Sequence, residues 1–118
     1  MRRRTFTVAL AAGAALMCAA PAVAGAPPTK TVKLGDNYYL PATLKVPKGT
    51  TVKWKWPAEA IDVHDVKLKR GPEGVRKFHS EPASSGYVYK RTLKKAGTYL
   101  IVCTVHGASD QSMKLVVR

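Results

Sequence analysis

The sequence predicts an all-β fold, an antiparallel β-sandwich of about seven strands, on three observations. Short apolar runs recur at even spacing, turn residues separate them, and no segment keeps a helical period. Ahead of these runs lies a different kind of segment. Met1, Arg2, Arg3 and Arg4 precede an Ala-rich apolar stretch from Val8 to Ala20 and then Pro21-Ala22-Val23-Ala24. A basic start, a short apolar middle and a small-residue end make a secretory signal peptide, expected over residues 1–24 with cleavage after Ala24. The run is too short and too Ala-rich for a membrane span, which takes about 20 strongly apolar residues. Arg3-Arg4-Thr5-Phe6 also resembles a twin-arginine signal, the kind that exports folded proteins. Cys18 fits a lipobox poorly and is expected to leave with the leader.

Residues 25–30, Gly-Ala-Pro-Pro-Thr-Lys, read as a short flexible lead-in to one domain over residues 31–118. The expected strands are Thr31–Leu34, Thr43–Val46, Thr51–Trp56, Ile61–Leu68, Tyr87–Leu93, Tyr99–Thr104 and Met113–Val117. Pro47-Lys48-Gly49 separates the second from the third, and Trp56-Pro57 ends the third. Gly71-Pro72-Glu73-Gly74, Ser84-Ser85-Gly86 and Ala96-Gly97 punctuate the rest. Alternation then assigns faces: Val52, Trp54 and Trp56 point to the core while Lys53 and Lys55 point to water. His64, Val66 and Leu68 share a side, which puts His64 at the end of a core-facing row. Tyr99, Ile101 and Cys103 do the same, with Leu100 and Val102 apolar opposite, as in a strand covered on both faces. Trp54, Trp56, Tyr87 and Tyr89 read as packing residues, and Lys53, Lys55, Lys67 and Lys69 as solvated faces.

Composition narrows the function. Without the leader 94 of the 118 residues remain, and Cys103 is then the sole cysteine. Small exported domains commonly lean on disulfides, which one cysteine cannot form within the chain. A buried free thiol is the plain explanation, and a metal ligand the sharper one. Of 20 basic residues three leave with the leader, so 17 face 7 acidic ones, a net charge of +10. Such a surplus draws acidic partners or anionic surfaces and does not determine the fold. An exported protein does not meet nucleic acid.

Cys103-Thr104-Val105-His106 closes a buried strand and opens a loop, with thiol and imidazole three residues apart and able to face one point. His64 supplies a second imidazole from another strand. Two imidazoles and one thiolate are the ligand set of trigonal blue-copper sites, completed by a weak axial donor. The thiolate is a soft donor acceptable to both copper oxidation states, and a loop pinned between strands holds the geometry nearly unchanged on reduction. Singly each residue has an ordinary reading: His64 a core-edge histidine, Cys103 a small buried hydrophobe, Met113 a core filler, Gln111 a solvated loop residue. Their combination favours metal. His79, in the polar stretch from Arg76 to Pro82, reads as a surface residue, and its neighbours Ser80 and Glu81 make no catalytic triad.

With these residues in place, the chain resembles the plastocyanin and amicyanin branch of the cupredoxins. The matching segments are Gly97-Thr98-Tyr99-Leu100-Ile101-Val102-Cys103-Thr104-Val105-His106, Val63-His64-Asp65-Val66, and Leu44 through Trp54. The resemblance implies a Greek-key sandwich holding one copper ion between His64, Cys103 and His106. For the axial position it leaves two alternatives. Met113 is the one methionine outside the leader, whereas a gap-free register puts Gln111 at the copper, with Leu115 and Val117 as the next inward residues. Both residue types serve as axial ligands. Asp65 replaces the asparagine that often follows the first histidine in plastocyanins, so the ties between ligand loops are expected to differ.

The expected function is therefore an exported, periplasmic or extracellular, monomeric electron carrier and not an enzyme. Its electron would pass at the edge of His106, rimmed by Val105, Gly107 and Ala108, to redox partners with acidic docking surfaces. The alternative is a copper-binding module for transport or buffering, whose site should be open and rich in Met or His. A copper oxidase or reductase would need more than three histidines, and a metal-free adhesion domain would bind no copper.

Overall fold

The computed structural model describes Gly13 and residues 28–118; the rest of the expected leader and residues 25–27 of the lead-in lie outside the described residues, while Thr29 and Lys30, expected in the lead-in, already belong to the first strand. Eight strands follow in order: β1 (Thr29–Gly35), β2 (Tyr38–Leu40), β3 (Thr43–Val46), β4 (Thr50–Lys55), β5 (Lys67–Arg70), β6 (Val88–Leu93), β7 (Gly97–Val102) and β8 (Ser112–Val117). They form two four-stranded sheets, ordered β2-β1-β4-β6 and β3-β8-β7-β5. From β2 to β7 each successive strand changes sheet, the connectivity of a Greek-key sandwich. Most pairings are antiparallel, but β1 runs parallel to β4 and β3 parallel to β8. These two pairings depart from a purely antiparallel sandwich.

The core lies between the sheets. Val32, Val52 and Trp54 of the first meet Leu68, Tyr99, Ile101 and Leu115 of the second, all at most 1% exposed. Trp54 packs at 5.9 Å from Tyr89, and Trp56 meets Tyr87 edge-on at 4.8 Å. Such aromatic pairs contribute about 0.5–1.5 kcal/mol beyond the area they bury. The predicted inward row Val52, Trp54, Trp56 is buried, and Lys55 is exposed.

Two elements differ from expectation. β2 is an added strand, too short and too exposed to announce itself by alternation; the Tyr38 ring lies over Gly35, where a Cβ would displace it. The strand expected over Ile61–Leu68 begins only at Lys67 and runs to Arg70, with an irregularity between Leu68 and Arg70. Residues 61–66 give their hydrogen bonds elsewhere. Ile61 N–H goes to the Ser84 carbonyl, Asp62 N–H to the Asp36 carboxylate, and Val66 N–H to the Ser80 hydroxyl. A single bridge, His64 to Ala83, is all the ladder that remains there. His64, Val66 and Leu68 are nonetheless all buried. No helix among the described residues is long and apolar enough to cross a membrane.

Candidate metal centre

At one end of the sandwich β7 finishes while β5 and β8 begin, because Val102 pairs with both Lys67 and Ser112. Cys103 follows β7 directly, and its N–H donates to the Gln111 carbonyl at 3.1 Å, closing the loop between them. Within that loop Gly107 takes a φ of +82°, a conformation that costs glycine little and other residues more. Its N–H reaches the Cys103 carbonyl at 2.9 Å, and its carbonyl accepts Gln111 N–H at 3.0 Å. The tight turn that results brings His106 back beside Cys103: the thiol sulfur and His106 Nδ1 are 3.5 Å apart.

His64 arrives from the segment before β5, held by paired backbone bonds with Ala83, each 3.0 Å. One ligand atom from each of His64, Cys103 and His106 lies within 4.8 Å of the others, and the two imidazole centroids are 4.7 Å apart. His64 and Cys103 are fully buried, whereas His106 keeps part of its ring exposed. Val63 and Val105, the residues preceding the two histidines, are 45% and 53% exposed.

The two candidates for a fourth position point to different neighbours. Gln111 is buried with Oε1 2.7 Å from His64 Nδ1, while its amide nitrogen donates to the Tyr38 carbonyl at 3.0 Å. The Met113 sulfur instead accepts the Trp54 indole N–H at 3.4 Å inside the core. His64 Nε2 faces Asp36 Oδ1 at 3.1 Å. A carboxylate only accepts, so a neutral ring carries its proton on Nε2 and turns the bare lone pair of Nδ1 toward the glutamine oxygen. Flipping the amide moves the conflict to the Tyr38 carbonyl without removing it. A cation that both atoms coordinate from one side resolves it.

Around these residues the loops are tied by Asp65, almost wholly buried. Its Oδ1 accepts Thr104 N–H at 2.6 Å, its Oδ2 accepts the Thr104 hydroxyl, and its backbone carbonyl takes the Tyr39 hydroxyl at 2.6 Å. Burial, then the neighbouring Cys103 and Asp65, push the Tyr39 phenol well above its ordinary range, so it stays a neutral donor. The aspartate thus joins the two histidine-bearing segments despite replacing an asparagine. His79, expected on the surface, is half-exposed with Nε2 3.6 Å from Asp65 Oδ2. Neither Asp36 nor the Tyr38 carbonyl stands out in the sequence. Both belong to a tight turn distant in sequence from either histidine, and spacing carries no signal for such contacts.

One thiol and two imidazoles gathered at the mouth of a small Greek-key sandwich define a mononuclear metal protein of the blue-copper class. The family model described as a cupredoxin-like domain matches residues 8–117, and the chain belongs to that family. It is 32% identical over 86 residues to a halocyanin of Natronomonas pharaonis, covering 70% of this chain and 51% of that protein. The chain therefore spans about half the length of that curated relative. Among solved structures it is similar to a glutamine-for-methionine mutant of amicyanin in the Cu(I) form, with a TM-score of 0.65 and 30% identity, over 76% of this chain and 82% of that one. Other amicyanin matches are oxidised and reduced forms. A copper-containing nitrite reductase from Thermus scotoductus matches at a TM-score of 0.64 and 25% identity, over 78% of this chain but only 22% of the enzyme. The metal of this family, one copper ion, fits the donor set: a buried thiol, two imidazoles and facing acceptor lone pairs are a cation's surroundings.

Proposed function

We propose that this protein is an exported one-electron carrier whose copper is held by His64 Nδ1, Cys103 Sγ and His106, with Gln111 Oε1 as the weak axial donor. The observation that carries the reading is the meeting of the three ligand atoms within 4.8 Å of one another at the end of the sandwich where β7 finishes and β8 begins. Bound copper supplies one-electron chemistry by alternating between Cu(I) and Cu(II). The chain's own residues do the rest. The Cys103 N–H to Gln111 carbonyl bond and the Asp65–Thr104 bonds hold the loop rigid, so that little rearrangement opposes a change of charge. Full burial of His64 and Cys103 excludes water and a substrate from that side. His106 offers the exposed edge, and Val63 and Val105 beside it suit brief apolar contact with a partner.

Gln111 is favoured over Met113 because its oxygen faces His64 Nδ1 while the methionine sulfur is engaged by Trp54. A carrier, and not an enzyme, is favoured because the amicyanins it resembles occur oxidised and reduced, and because the nitrite reductase is matched over a fraction of its length. Export rests on the leader pattern of residues 1–24, ahead of a short lead-in and a domain whose first strand begins at Thr29. Acidic redox partners are the complement of its basic surface.

Voltammetry of the copper-loaded mature protein tests the reading. Reversible one-electron reduction, with an intense thiolate-to-copper absorption that returns on reoxidation, is the expected outcome. Pale copper lost to a mild chelator would instead make the chain a transport or buffering module.

A further inference from the structure

The turn between β1 and β2 reaches the metal centre from outside the segments that carry the candidate ligands. Asp36 Oδ1 lies 3.1 Å from His64 Nε2 and accepts the Asp62 N–H at 3.1 Å. Two residues on, the Tyr38 carbonyl accepts the Gln111 amide at 3.0 Å. Asn37 between them takes a φ of +66°, the left-handed conformation that asparagine tolerates better than most residues. One hairpin turn thus grips both the buried histidine and the glutamine.

Resting on the reading of His64 as a copper ligand through Nδ1, we propose that Asp36 is a positioning residue that keeps the His64 proton on Nε2 and whose charge favours the oxidised metal. The carboxylate can only accept, so it dictates the tautomer and leaves Nδ1 free to coordinate. Hydrogen bonding to an anion also makes the opposite ring nitrogen a stronger donor. A stronger donor and a nearby negative charge stabilise Cu(II) more than Cu(I), and so lower the reduction potential. The Gln111 oxygen acts in the same direction. As a solvent-exposed aspartate, Asp36 is a carboxylate at neutral pH. Its side chain is 54% exposed, which screens its charge at range and leaves the direct bond to the buried ring as the route of its effect.

The test uses the copper-loaded mature protein, Asp36→Asn, Asp36→Ala and the exposed-carboxylate control Glu59→Gln. In Asp36→Asn the side-chain oxygen still accepts from Nε2, so the ring orientation and the thiolate-to-copper band should persist. Loss of the charge should weaken Cu(II) binding by about 10–100-fold, weaken Cu(I) binding less, and raise the potential. Asp36→Ala should in addition alter the band, and Glu59→Gln should change nothing. A potential and a Cu(II)-to-Cu(I) affinity ratio in Asp36→Asn no different from those of Glu59→Gln overturn the proposal. Proton–nitrogen NMR of the wild-type Cu(I) form keeps the test independent of variant folding. His64 must carry its proton on Nε2 with a downfield, hydrogen-bonded shift, and a proton without that shift overturns the proposal by itself. If wild type forms no coloured Cu(II) site at all, the copper reading fails first and takes this one with it.

Discussion

The roles proposed for one sulfur, two ring nitrogens and an amide oxygen separate under substitution. Cys103→Ser should abolish the thiolate-to-copper absorption, because a serine hydroxyl lacks the covalency that gives the band its intensity; absorption of the Cu(II)-loaded variant checks this. Gln111→Met replaces a hard oxygen with a soft thioether and should raise the reduction potential, as read by voltammetry. Met113→Leu should leave the potential unchanged and cost about 1–3 kcal/mol of stability in a urea titration, since it keeps the core volume but leaves the buried Trp54 indole N–H without its acceptor. A shifted potential for Met113→Leu with none for Gln111→Met would reverse the axial assignment. At this scale the sequence was legible for the residues whose type is rare. A lone cysteine three residues before a histidine stands out, whereas Gln111 and Asp36 are common polar residues whose meaning comes only from what they face.

Among the elements, legibility followed burial on alternate positions. β4, with Val52 and Trp54 inward, and β7, with Tyr99 and Ile101 inward, are visible as patterns. β2 is not, since one buried tyrosine between two exposed residues makes no period. The segment before β5 misled because His64, Val66 and Leu68 do alternate inward, yet Asp65 between them is buried too and spends its carboxylate on Thr104. That bond ties the His64 segment to the Cys103 loop, and its loss should be felt in both. Asp65→Ala removes a charged acceptor from the Thr104 N–H and should cost about 1.5–3 kcal/mol in chemical denaturation of the metal-free protein. Asp65→Asn, which still accepts from that N–H, should recover most of it. Equal stability of Asp65→Ala and wild type would mean that the tie contributes nothing.

Over the whole molecule, the balance of charge bears on encounter. The full chain carries a net charge of +13, and the expected mature domain about the +10 that remains when three leader arginines are removed. Electron transfer to an acidic redox protein should therefore slow as ionic strength rises, as the Debye length shortens from about 10 Å at 0.1 M to about 3 Å at 1 M. Stopped-flow rates across that range check it, and a flat salt dependence would remove the basic surface from docking. Fold and cofactor agree because the sandwich end that brings His64, Cys103 and His106 together is fixed by the pairings of Val102 with Lys67 and Ser112 at the base of the loop. The most direct test of that agreement is X-ray absorption at the copper edge on the Cu(II) and Cu(I) forms of the mature protein. One sulfur and two imidazole nitrogens should surround a single copper in both states with nearly unchanged distances, and a sphere lacking sulfur, or one rebuilt on reduction, would contradict the account.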